Sequence, residues 1–381
     1  ELFIHIPFCV RKCSYCDFLS APATEQTREA YMAALFAEIG GRAKDYSDRT
    51  VTSIFIGGGT PSLLSGEQIG QLMDRIREQF AMAQDAEITM EVNPGTASAE
   101  KLRNFYTAGI NRLSIGMQSA QAEELKNLGR IHDFEGFCQV YREAVEAGFT
   151  NINVDIMSGL PGQTLASYRD TLEKVLHLEP MPQHISAYSL IVEEGTPFAA
   201  MAERGELPLP EEETERAMYE ETIEVLAKYG FHRYEISNYA RDGYECRHNV
   251  GYWIRRDYLG FGIGAASLID NVRFQNEKSL GAYLAHPLES REEEQTLTVQ
   301  DRMEETMFLG LRLTRGVSCV DFAEQYGRTV EEVYGEVIAR NVADGLLTVT
   351  ERKENQKKDR FLALTKRGLD LSNYVMAQFL F

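Results

Sequence analysis

Residues 53–79 read SIFIGGGTPSLLSGEQIGQLMDRIREQ. A short β-branched run meets three glycines, and then Ile69, Leu72, Met73 and Ile76 recur at helical spacing. This is one strand–turn–helix unit, in which the hydrophobic period switches from about 2 to about 3.6. The same unit repeats on both sides of it. Strand-like runs fall at 2–6, 53–57, 88–92, 112–117, 152–157 and 185–190, with amphipathic stretches at 28–43, 67–79, 99–108, 134–147 and 167–178 between them. Gly109 and Gly148 stand where a helix C-cap needs a left-handed residue. Strand and helix alternating about six times imply parallel strands with right-handed crossovers. The polar residues gather at strand C-terminal ends: GGGTP after the second, Glu91 and Asn93 on the third, Gln118 after the fourth, Asp155 on the fifth. A barrel places its site at that mouth, whereas a doubly wound sheet concentrates it at a switch point. The expected fold class is α/β, a partial (β/α)6 barrel with a C-terminal winged-helix-like domain.

Three expected domains follow: a barrel core over 1–195, a completing region over 196–295 and a winged-helix-like unit over 296–381. After the Pro- and Glu-rich GELPLPEEET, a helix is expected at 211–229 and a strand at 233–238. RHNVGYWIRRDYLGFGIGAASL, 247–268, reads as structured loops, and 280–300 as a linker. Helices are expected at 300–313, 319–326 and 330–344, then a hairpin over 345–365 and a last helix. Such units often bind DNA, but the net charge of −19 argues against a polyanionic partner, so a lid or docking role is expected and nucleic acid is not. No apolar run approaches the roughly eighteen residues of a membrane span. The chain goes straight into the strand-like LFIHIPF, which predicts no secretory leader, and six cysteines with half of them in one cluster predict a reducing cytoplasm with a metal site.

That cluster is Cys9, Cys13 and Cys16 in HIPFCVRKCSYCDF, 5–18. Three soft thiolates with no fourth cysteine in reach suit an iron–sulfur cubane with one iron left open, or zinc with His5 as the nearest fourth ligand. The glycines of GGGTP let backbone amides approach a ligand, and Glu91, Gln118, Arg130 and Asp155 would suit one with amino, carboxylate and ribose hydroxyl groups.

HIPFCVRKCSYCDF, FIGGGTPS, EVNP, GMQS, LGRIH and VDIMSGLPGQT, in this order, resemble the radical S-adenosylmethionine proteins of the HemN/HemW group along about residues 1–380. The resemblance implies a [4Fe–4S] cluster on Cys9, Cys13 and Cys16, with S-adenosylmethionine chelating the open iron. Phe3 and Tyr15 would pack near the nucleoside, although Phe3 replaces a tyrosine common there. Gly58, Gly59 and Thr60 would contact the methionine moiety, Glu91 would hold the first S-adenosylmethionine, and Gln118, Arg130 and Asp155 match positions that hold a second one in oxygen-independent coproporphyrinogen III oxidases. Those oxidases carry a further cysteine two residues after the third, where this chain has Phe18. RHNVGYW instead matches the HNxxYW motif of the group's haem chaperones. That implies His248 as haem ligand, with Asn249, Tyr252 and Trp253 orienting it or flanking the macrocycle. Cys246 is an alternative axial ligand, with a plain buried thiol preferred, and His132, His177 and His286 have no motif support. The resemblance thus implies a haem chaperone with a [4Fe–4S] cluster, S-adenosylmethionine and haem. Its partner would be a haem-acceptor protein such as a respiratory one, with a homodimer left open and membrane association peripheral at most. The alternatives are a coproporphyrinogen III oxidase and a radical methyltransferase or cyclopropanase.

Overall fold

The computed structural model describes residues 1–289, 291–354 and 357–380. Six parallel strands form its centre: β1 (Leu2–Ile6), β2 (Thr50–Gly58), β3 (Ala81–Val92), β4 (Arg112–Gln118), β5 (Ile152–Ser158) and β6 (His184–Ser189). Helices α1 (Glu25–Arg42), α2 (Gly66–Gln79), α3 (Ala99–Thr107), α4 (Ala122–Leu128), α5 (Phe134–Ala147) and α6 (Leu165–Leu176) lie between them. α7 (Pro197–Glu203) and α8 (Glu212–Lys228) follow. The sheet is extended by β8 (Asn238–Ala240), antiparallel to β6, by β7 (His232–Arg233), antiparallel to β8, and by β9 (Leu259–Phe261), parallel to β1. Its order is β7-β8-β6-β5-β4-β3-β2-β1-β9, so β7 and β9 remain as edges and the barrel is partial.

Period-two alternation sorts the strand residues. Ile4, Ile54, Met90, Ile115 and Val154 join the apolar core shared with the helices, while the alternate positions Phe55, Glu91, Ser114, Gly116 and Asp155 line the barrel's inner cavity. Local signals fix where the helices begin. Ser65 starts α2 with a capping box, its Oγ accepting the Gln68 N–H and its own N–H donating to the Gln68 side chain. Gly148 closes α5 at φ 110°.

The second half departs further from expectation. The strand expected at 233–238 is split into β7 and β8, because Glu235 turns the chain by accepting from Ser237 N–H and the Asn238 amide. Residues 247–253 form α9 (Arg247–Trp253) where loops are expected. The supposed linker at 280–300 holds α10 (Leu280–Ala285) and a strand, β12 (Arg291–Thr296), paired to the hairpin β10 (Ala266–Ile269) and β11 (Val272–Asn276). Every residue of β12 is exposed, so no apolar alternation marks it. The C-terminal helices α11 (Val299–Gly310), α12 (Cys319–Tyr326) and α13 (Val330–Ala343) surround a second core with a three-stranded antiparallel sheet of β13 (Val317–Ser318), β14 (Leu347–Glu354) and β15 (Lys357–Leu364). The helices and sheet follow the winged-helix-like pattern, although the tip of the expected hairpin, 355–356, lies outside the described residues. α14 (Lys366–Asp370) and α15 (Ser372–Ala377) end the chain's helical part.

Candidate functional site

One cavity of about 360 Å³ opens at the C-terminal ends of the barrel strands. Cys9, Cys13, Tyr15 and Cys16 line it from the loop after β1, Gly58 from the end of β2, Gly59 and Thr60 from the loop after it, and Glu91, Gln118 and Asp155 from β3, β4 and β5. Arg130 reaches it from beyond α4, and Asn249 from α9.

The loops fit because the glycines allow it. A Cβ on Gly59 would sit 2.7 Å from the backbone oxygens of both Ile6 and Phe8, and Gly58, at φ 106°, would drive one into the His5 ring. The Gly59 N–H donates to Ile6 O at 2.9 Å, which ties GGGTP to the strand that launches the cysteine loop. Gln118 itself is left-handed at φ 68°, beside a register shift between β4 and β5, and such strain in a non-glycine residue concentrates at functional sites.

Two of the three thiols meet a side-chain donor. Thr60 Oγ1 donates to Cys9 Sγ at 3.4 Å, and Arg130 Nη1 to Cys13 Sγ at 3.9 Å while its Nη2 holds Gly116 O at 2.6 Å. Burial, then the neighbouring thiols, raises the Cys16 pKa, so its thiolate form is favoured only beside a cationic partner. Among the described residues, no three His, Cys, Asp or Glu side chains are gathered so as to hold a single metal ion. His5 is turned away, with Nδ1 against Ile263 O. A sulfur-only donor set spread round a cavity fits an iron–sulfur cubane, in which each thiolate takes a different iron.

Two half-buried carboxyls share the cavity. Burial, reinforced by Asp155, pushes Glu91 up to about 8 against the Gly58 N–H bond of 3.0 Å. Asp155 is also raised, chiefly by burial, although Ser114 and Asn153 donate to it at 3.2 and 2.7 Å.

The remaining expected residues lie elsewhere. Phe3 stacks on Phe55, ring centroids 6.4 Å apart, behind the cavity wall. His248 is 1 % exposed: Nδ1 meets Ser53 Oγ at 2.9 Å, Nε2 meets the Tyr252 hydroxyl at 3.1 Å, and burial pushes the ring down to about 3. Trp253 lies under the Arg312 guanidinium, 4.3 Å from its ring centre. Cys246 is fully buried, bonded to Glu87 and pushed up to about 12 by burial. Sequence reading missed Arg112, Ser114 and Asn153, which line the cavity from inward strand positions. The only signal for them was polarity at alternate positions of otherwise apolar strands.

Residues 3–175 match the family model described as the radical SAM superfamily, and 297–371 that of the HemN C-terminal domain. The heme chaperone HemW of Bacillus subtilis (strain 168) is 38% identical, over 99% of this chain and 98% of its own. That of Escherichia coli (strain K12) is 37% identical over 91% of each. Among solved structures, the coproporphyrinogen III oxidase HemN from Escherichia coli, a radical SAM enzyme, superposes with a TM-score of 0.84 at 27% identity, covering 100% of this chain and 89% of that one. This chain belongs to the HemW family, within the radical SAM superfamily.

Proposed function

We propose that this protein binds haem and delivers it to acceptor haem proteins, holding a [4Fe–4S] cluster and S-adenosylmethionine beside the haem region. The carrying observation is that Asn249 of the RHNVGYW helix lines the same cavity as the three cysteines. Full-length likeness to proteins named heme chaperones supports the same reading. When bound, the cluster and S-adenosylmethionine supply one-electron chemistry at the sulfonium.

The chain's own residues do the rest. Cys9, Cys13 and Cys16 hold the cluster, with Thr60 and Arg130 donating towards the sulfurs. Gly58, Gly59, Thr60 and Glu91 receive the methionine moiety, Tyr15 packs near the nucleoside, and Gln118, Arg130 and Asp155 are placed for a second polar ligand. His248 is the proposed haem ligand. To reach an iron its ring must release Ser53 or Tyr252, so haem uptake requires α9 to shift. Asn249, Tyr252 and Trp253 would then flank the macrocycle.

The test is anaerobic reconstitution followed by two assays on one sample. Haem titration is expected to give a bound-haem absorbance band that His248→Ala removes, and coproporphyrinogen is expected to persist. Coproporphyrinogen loss with no haem uptake would make the oxidase reading right and this one wrong.

A further inference from the structure

Arg112 opens β4 from the cavity's deep end and is 2 % exposed. Its guanidinium makes no hydrogen bond or ion pair to any described residue, and its Nε is fully buried without a partner. Negative groups nearby favour the cation through space, but none supplies the hydrogen bonds that replace its lost hydration. The carboxylates that act on it most are committed elsewhere. Glu87 accepts the Arg247 and His248 N–H groups and the Cys246 thiol, while Asp155 is held by Ser114 and Asn153. Asn249 lines the same cavity.

We propose that Arg112 is a carboxylate subsite in the depth of the barrel, filled by an acid group of a ligand that enters past the cysteine loop. The subsite would complete the hydrogen bonding that the fold leaves open around Arg112. Two sources carry this chemistry: a propionate arm of haem, which rests on the function proposed above, and the amino-acid end of a second S-adenosylmethionine beside Gln118, Arg130 and Asp155, which does not, the first being held by its methionine end at the cysteine loop.

The experiment titrates cluster-loaded protein with two pairs of ligands. One pair is ferric haem and its dimethyl ester; the other is S-adenosylmethionine and S-adenosylmethioninamine, which lacks the carboxyl group. The wild-type protein should prefer the acid in at least one pair by about tenfold or more, as a buried charge-assisted hydrogen bond implies. Arg112→Met should cut that preference about tenfold, leaving in the S-adenosylmethionine pair only what chelation of the open iron supplies, and Arg112→Lys should retain part of it. The pair that responds identifies the source of the carboxylate. Without ligand, Arg112→Met should still fold and rebuild the cluster's visible absorbance, so that a lost preference reports the subsite and not unfolding. An undiminished preference in Arg112→Met, or none in the wild type for either pair, overturns the proposal. If the wild type takes up no haem, the functional reading fails, and the S-adenosylmethionine pair still decides the subsite.

Discussion

Glu91 keeps its proton into the neutral range because burial and Asp155 disfavour its charge. Its folded pKa of about 8 lies above the ordinary 4.5, so the folded chain binds the extra proton between those values. Stability from this group is therefore full below about pH 4.5 and is lost as pH rises towards 8. Glu91→Gln should match wild type near pH 4.5 in urea unfolding and exceed it increasingly up to pH 8; a difference independent of pH would refute the assignment. His248 has the opposite sign: its folded pKa near 3 makes its contribution full above pH 6.5 and lost as the solution is acidified. At Gly59 the prediction is steric. Gly59→Ala should leave a folded protein that fails to rebuild the cluster's visible absorbance, because the Cβ meets two backbone oxygens. Wild-type absorbance in that variant would contradict the loop geometry. The strand-end residues Glu91, Gln118 and Asp155 were legible in the sequence, since a charge or amide interrupting an apolar strand stands out. Arg112 was not, because a charge on the first residue of a strand reads as solvent-facing.

Among the elements, α9 shows how tertiary contacts override local propensity. RHNVGYW contains a glycine, a β-branched residue and two aromatics, a composition that does not favour a helix by itself. Its start is secured by Glu87, some 160 residues earlier in the chain, whose two oxygens accept the Arg247 and His248 N–H groups at 3.0 and 3.1 Å. No sequence window spans that separation. Glu87→Ala should cost about 2 kcal/mol, the upper part of the range for a lost helix cap, and should loosen the His248 ring. A urea midpoint unchanged from wild type would deny the cap that role. β9 and β12 escaped notice for simpler reasons, the first being three residues long and the second wholly polar. The β1–β6 strands and α2, α3 and α5 were read to within a few residues, apart from early starts on β2 and β3, because buried parallel strands and capped amphipathic helices carry strong periods.

In the whole molecule, α9 and the residues after it join the barrel to the C-terminal part. Glu305 of α11 takes Arg255 Nε at 2.8 Å and Arg273 Nη1 at 2.7 Å, and Arg312 covers Trp253. The Arg255 and Glu305 side chains are 4 % and 7 % exposed. Breaking such a pair leaves a buried charge alone, so Glu305→Gln should cost about 3 kcal/mol in chemical unfolding. A cost near zero would mean that the bridge does not hold the two parts together. Through this junction, a shift of α9 on haem uptake would reach the C-terminal helices. The central claim is that the bound haem is cargo, and haem transfer tests it most directly. Haem-loaded, cluster-reconstituted protein is mixed with an apo haem protein, and the absorbance of each is followed. The account predicts that the donor's haem band decays while the acceptor's grows in proportion, with no porphyrin consumed. Haem retained by this protein in the presence of a competent acceptor would contradict it.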